Sequence, residues 1–148
     1  MNIKDLQHAL YNYNNVVRGI NSLQDTIDYV EEEGATESHL GAIKFNGNRE
    51  YDSTNDYDRQ QAELRKLKYT LRKYKRIKKQ IDEMLEVVKD DNFYRIIPYK
   101  YFNKKTHVEI AEGFMIDPSG INRHDKRLLK EMCDYYNLIY GDDSHIIF

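Results

Sequence analysis

Apolar side chains near the start of this chain recur at alternating steps of three and four. Ile3, Leu6, Leu10, Tyr13, Val17, Ile20 and Ile27 keep that rhythm, with Gln24 the one polar interruption. Such spacing lines one side of a helix and leaves the rest to water, so residues 2–33 are predicted to form one long helix with a heptad seam. Asn2 with Asp5 suits its start and Gly34 its end. The rhythm returns in Leu64, Leu67, Leu71, Tyr74, Ile81, Leu85 and Val88, broken at Lys78. It predicts a second long helix over residues 53–89, opened by Ser53 and Asp56. Neither stripe is stable against water, so the two are expected to pack as an antiparallel, coiled-coil-like hairpin, within one chain or across a dimer. Residues 35–52 between them are poorly periodic and read as a connector around the apolar patch Ala42-Ile43-Lys44-Phe45.

Asp90-Asp91-Asn92 interrupts the second helix and can cap a third, from Phe93 to about Phe102. Pro98 lies inside that stretch and is expected to kink or split it, because it lacks a backbone donor and clashes one turn back. After Asn103-Lys104-Lys105, two further helices are predicted over residues 106–113 and 118–138. The fold class is therefore all-α. Residues 1–89 form a helical oligomerisation section with its loop at 35–52, residues 90–141 a helix-turn-helix domain, and residues 142–148 an unassigned tail.

The helix-turn-helix expectation rests on spacing. Two helices that cross at about 90–120° over a short turn tolerate only small or well-shaped residues where they touch. Counted from His107, Ile110 is fourth and faces the core, and Ala111 is fifth, where a small side chain admits the second helix. Phe114 and Ile116 bracket the turn, and Ile121, the fifteenth, anchors the second helix. Asp117, Pro118 and Ser119 stop one helix and start the next, with Asp117 as N-cap and Pro118 at the first helical position. Two positions depart from the pattern. Met115 stands where a turn glycine is usual and would hold a left-handed conformation only with strain, and His124 stands where an aliphatic is expected.

With Ile121 and Leu128 inward, the outer side of the second helix is expected to present Ser119, Gly120, Asn122, Arg123, Lys126 and Arg127. Asn122 and Arg123 carry the side chains that make bidentate contacts to adenine and guanine edges. Ser119, Lys126, Lys104, Lys105 and Thr106 are assigned to the phosphate backbone, Arg127 to the same face, and Gly120 to close approach of the duplex. A double-stranded DNA partner follows, with an ordinary solvated helical hairpin as the competing reading.

Charge sharpens this picture. The 148 residues carry a net charge of −2, but it is strongly segregated. Residues 61–80 hold nine basic side chains and one acidic, and residues 92–130 hold eight basic and four acidic, whereas residues 1–60 hold five and eleven. Polyanions would meet the two basic blocks. The run at residues 65–79 mostly avoids the seam, as a solvated face does; a second phosphate- or polymerase-contacting surface is the other reading.

The remaining chemistry is sparse. No phosphate-binding glycine loop, HExxH helix or nucleophile elbow occurs, and the five histidines do not pair at ligand spacing, so no enzyme activity, metal or cofactor is expected. The single cysteine, Cys133, reads as a small half-buried hydrophobe. No apolar run approaches a membrane span and no secretory signal is visible, so no membrane partner and a cytoplasmic location are expected.

Taken together, Tyr101-Phe102-Asn103-Lys104-Lys105-Thr106, Glu109-Ile110-Ala111-Glu112 and Ile116-Asp117-Pro118-Ser119-Gly120-Ile121-Asn122-Arg123 resemble the C-terminal reader of RinA/ArpU-type late-gene regulators of phages and prophages. That reader is similar to the fourth region of bacterial sigma factors. The resemblance implies a nucleoid-associated activator of phage late genes that recruits or stabilises host RNA polymerase, with the helical N-terminal half serving dimerisation or polymerase contact. A homodimer would supply two recognition helices. The alternatives are a small terminase-like packaging subunit, which also joins a helix-turn-helix to coiled helices, and a helical adaptor that never touches DNA.

Overall fold

The computed structural model describes residues 1–33 and 53–141, and every regular element among them is helical. The elements are α1 (Ile3–Tyr11), α2 (Tyr13–Glu33), α3 (Ser53–Val88), a π-helical turn (Pro98–Phe102), α4 (His107–Phe114) and α5 (Pro118–Tyr140). Gly34, the 35–52 connector with its apolar patch, the side chain of Ser53 and the 142–148 tail lie outside what is described. No described helix is long and apolar enough to cross a membrane.

The first helix starts where expected, with the Asn2 side chain accepting from the Asp5 backbone N–H at 2.8 Å. It does not run unbroken to residue 33. At Asn12 the side-chain amide donates to the His8 carbonyl at 2.8 Å, an acceptor that the Asn12 backbone N–H also uses at 3.2 Å. Asparagine competes with the helix ladder in this way. Beyond the interruption Ile20 and Ile27 keep their expected inward places, but Val16 is buried where spacing favoured Val17. Leu23 packs inward in place of Gln24, whose amide bonds Asp28 at 2.9 Å. In α3 the expected seam from Leu64 to Val88 holds, and Ile77 fills its one gap. Ile77 is buried, and Lys78, expected to interrupt the seam, lies beside it and pairs with Asp82 at 2.6 Å.

The chain divides into two compact units, neither of which follows a boundary at residue 89. One comprises Met1–Val16 and the chain from Ile77 onward; the other runs from Val17 to Arg76. In the second, Ile27, Val30, Leu64 and Leu71 form a buried cluster covered by Ile20, Leu23 and Leu67. The α2 and α3 segments here run in opposite directions. Gly19 lies so close to Tyr74 that an added Cβ would sit 2.7 Å from its ring, and the Val30 carbonyl accepts from Gln60 at 3.1 Å. Lys68 reaches Glu31 at 2.6 Å. The apolar seam of this unit is thus covered within a single chain.

In the first unit α1 packs on α5 and on the π-helical turn. Leu6, Leu10, Ile81, Met84, Ile96, Ile97, Leu128, Leu129 and Met132 are fully buried there. The α-amino group of Met1 reaches Asn137 Oδ1 at 2.6 Å, and Tyr140 donates to Glu83 at 2.8 Å. Of the helix expected from Phe93 to about Phe102, kinked or split at Pro98, residues 93–95 are turns and only the part from Ile96 is helical, passing into the π-helical turn at Pro98. Proline cannot donate to the Tyr94 carbonyl, which instead accepts from Ile97 at 2.9 Å, and a wider turn follows, closed by Asn103 N–H on the Pro98 carbonyl at 2.9 Å.

Candidate nucleic-acid interface

Thr106 opens α4. Its hydroxyl accepts from the Glu109 N–H at 3.2 Å, and the Glu109 carboxylate reaches back to the Thr106 N–H at 3.5 Å. This reciprocal cap satisfies two backbone donors that the helix itself cannot. α4 ends one residue later than spacing suggested, at Phe114, and the chain turns through Met115 with φ 57° and ψ 40°. The strain foreseen at this position is present. Ile116 N–H closes the turn on the Ala111 carbonyl at 3.3 Å. Asp117 then takes the extended conformation of an N-cap, but its side chain makes no capping bond, contrary to expectation; Pro118 stands at the start of α5.

The Met115 side chain is 91% exposed, so its removal sacrifices almost no packing. A left-handed residue with a Cβ costs about 1–2 kcal/mol, and glycine avoids that at some expense in chain entropy. Met115→Gly is therefore expected to raise the unfolding free energy by about 0.5–1 kcal/mol. Urea denaturation measures it, and an unchanged or lower midpoint would show that the turn is relaxed.

Behind the turn, Ile96, Ile110, Ala111 and Ile121 form one buried cluster, with Phe93, Tyr99, Phe114 and Ile116 packed against it. All five core positions named from spacing (Ile110, Ala111, Phe114, Ile116 and Ile121) meet here. α4 and α5 are in direct contact.

The polar residues assigned to DNA divide into two groups. Ser119, Arg123 and Lys126 are exposed and Asn122 is half-buried, and among the described residues none of the four has a side-chain hydrogen bond or ion pair. They stand at offsets of three, four and seven from Ser119, which puts them on one side of α5 within about 10 Å. Gly120 does not belong with them. It is buried, and an added Cβ would sit 3.2 Å from Ile116 Cδ1, so its small size serves the turn rather than a duplex.

Arg127 is also taken up elsewhere. Its guanidinium holds both oxygens of Asp91, at 2.8 and 3.1 Å, and lies 3.3 Å from Glu131. The bond to Arg127 holds the Asp91 carboxyl below its ordinary range. Asp91 in turn accepts from the Phe93 N–H at 2.9 Å, so this ion pair fixes the link that precedes the π-helical turn. The exposed residues before α4 are partly committed as well. Thr106 is a cap, Lys104 donates to the Tyr11 carbonyl at 2.9 Å, and the Lys105 ammonium lies 4.6 Å from the centre of the Tyr99 ring. Lys104 itself is left-handed, with φ 56°.

His124 fills its unexpected place by stacking. Its ring lies 3.7 Å from that of Phe93 at an interplanar angle of 9°, and Phe93 stacks on Phe114 at 5.6 Å. Burial and the neighbouring Arg127 and Arg123 guanidiniums push its pKa below the ordinary 6.5. His107 is pushed the same way, first by burial and then by Lys100. Both rings are thus favoured neutral in the folded chain. Their stabilising contribution is present above about pH 6.5, where the unfolded chain is also neutral, and is lost as pH falls through the lower folded values. Tm is expected to fall between pH 7.5 and 5.5, and less so in His124→Phe, which keeps the stacking without the titration. A Tm that holds or rises on acidification would contradict this.

A polar network that the sequence analysis does not name lies beneath the site. Asp125 is fully buried, accepts from Lys100 at 2.7 Å and from the Tyr101 hydroxyl at 3.1 Å to each oxygen, and Tyr101 accepts from Gln7 at 3.3 Å. Burial and the Asp125 charge hold Tyr101 protonated far above its ordinary range. Asp125 lies at an inward register with Ile121, Leu128 and Leu129, and a charge among inward positions was the available signal. Cys133 is buried, and that burial pushes its thiol up to about 11, in keeping with a packing role. No family model, no curated protein and no solved structure matches the chain.

Proposed function

We propose that residues 107–126 act as a helix-turn-helix whose second helix enters the major groove, making the chain a sequence-specific transcriptional activator. One observation supports this above the rest: Ser119, Asn122, Arg123 and Lys126 are left without internal partners on one side of α5, while Gly120 and Ile121 on the other are buried. A merely structural helix would spread or pair such groups. Arg123 and Asn122 are the base readers, and Ser119 and Lys126 contact phosphate. Lys104, Lys105 and Thr106 contribute to the backbone at the site's edge. The resemblance to sigma-like readers of RinA/ArpU type supports a promoter of phage or prophage late genes as the target and host RNA polymerase as the partner.

Arg123→Ala is expected to weaken binding of the cognate duplex by about 1–3 kcal/mol and to relax base preference at one position. Footprinting on the genome that encodes the chain identifies the duplex, and fluorescence anisotropy measures the loss. Equal binding of all duplexes by wild type and variant would remove the recognition role of α5. A homodimer remains part of the reading, although it needs a surface other than the seam between α2 and α3. Light scattering tests it: a dimer supports the activator, and a ring of eight or more would point to a packaging subunit.

A further inference from the structure

We infer that the outer face of α3 between residues 65 and 76 is a second nucleic-acid surface, one that grips the duplex backbone without reading sequence. Arg65, Tyr69, Arg72 and Arg76 follow steps of four, three and four, so they form a single stripe about 16 Å long. All four are exposed, with Tyr69 at 65%, and the stripe is turned about 120° round the helix from Leu64 and Leu71, which are buried in the seam. Lys66 and Lys75 flank it, also exposed.

The charges on this face are unbalanced. A solvated helix ordinarily mixes signs so that neighbours one turn apart attract. Here no acidic residue occurs from Leu64 to Ile81. Lys68 is paired with Glu31, but Arg65, Lys66, Arg72, Lys73, Lys75 and Arg76 form no ion pair among the described residues. Arg72 and Arg76 repel across one turn, as do Lys68 and Arg72. Like charge held on a rigid rod opposes folding and favours a counter-polyanion.

The kind of polyanion follows from what the stripe lacks. A protein partner needs an apolar centre to bury, with charge at the rim. On this stripe Tyr69 is the only large apolar side chain, since the leucines of the segment face the seam. Duplex DNA needs no such centre, because released counterions supply the affinity, and it offers about ten phosphates along 16 Å. The inference rests on the DNA-binding reading only in that the chain meets a duplex; it does not require α5 to read bases.

The test is the triple variant Arg65→Gln, Arg72→Gln, Arg76→Gln, alongside Arg123→Ala. Each is titrated onto a random-sequence duplex and onto the footprinted one from 50 to 200 mM salt. The triple variant is expected to weaken both duplexes by about tenfold or more at 50 mM, with a log–log salt slope shallower by about 0.9 for each phosphate no longer neutralised. Its Tm should hold or rise, since repulsion has been removed, which separates a binding effect from misfolding. Arg123→Ala should weaken only the footprinted duplex. Unchanged affinity and slope in the triple variant would overturn the inference while leaving the α5 reading intact. Retained duplex binding with abolished binding to polyglutamate would overturn it in favour of an acidic protein partner. No binding of either duplex by the wild-type chain would end both readings.

Discussion

Asp125→Ala is expected to lower the unfolding free energy by about 3–5 kcal/mol, the largest effect of any single change considered for this chain. Asp125 is completely buried and the side chain of its partner Lys100 is only 13% exposed. Removing the anion leaves that cation and the Tyr101 hydroxyl without their acceptor in a site water barely reaches. The penalty is the desolvation of the orphaned charge, not the loss of net attraction, since a buried pair roughly offsets its own burial. The second arm follows from the same reasoning. Adding Lys100→Met to an Asp125→Leu background replaces the pair with apolar groups and should recover most of the loss. Guanidinium denaturation of the two single variants and the double variant gives the coupling directly. A cost below about 1 kcal/mol for Asp125→Ala would mean that water relieves the Lys100 charge.

Ile121→Ala is expected to cost about 2–5 kcal/mol, and for a different reason. Ile121 is fully buried at the foot of α5, in one cluster with Ile96, Ile110 and Ala111. Truncating it forfeits the transfer free energy of its methyl groups and leaves a cavity that the short α4 and the tight turn at Met115 have little freedom to close. The loss should extend to function, because Ile121 anchors the first two turns of α5, where Ser119, Asn122 and Arg123 lie. Duplex affinity of the folded fraction should therefore fall even at temperatures well below Tm. Stability loss with unaltered affinity would show that the helix is positioned by Leu128 and Leu129 alone.

Several features of this chain were legible before its fold was known. Alternating steps of three and four in Ile3 to Ile27 and in Leu64 to Val88 could only be helical, and Asn2 and Asp5 marked the true start of the first. Spacing assigns Thr106 to the phosphate backbone only; the structure makes it, with Glu109, the cap of α4. The five positions chosen around the 114–118 turn meet in or against one cluster.

What escaped shares a physical cause. Helix type and approximate face are local properties, set by a rotation of about 100° per residue. Which of two adjacent residues turns inward is decided by the packing partner, so Val16 and Leu23 stand in for Val17 and Gln24 while Ile20 and Ile27 stay as spacing had them. The fates of Gly120, Arg127 and Asp125 depend instead on groups distant in sequence or across a turn. Ile116 closes over Gly120, Asp91 captures Arg127 from 36 residues away, and Lys100 and Tyr101 surround Asp125. Arg123 and Arg127 stand four residues apart on the same helix with the same chemistry, and only the packing of the 91–97 link makes one an ion-pair partner and leaves the other open to solvent.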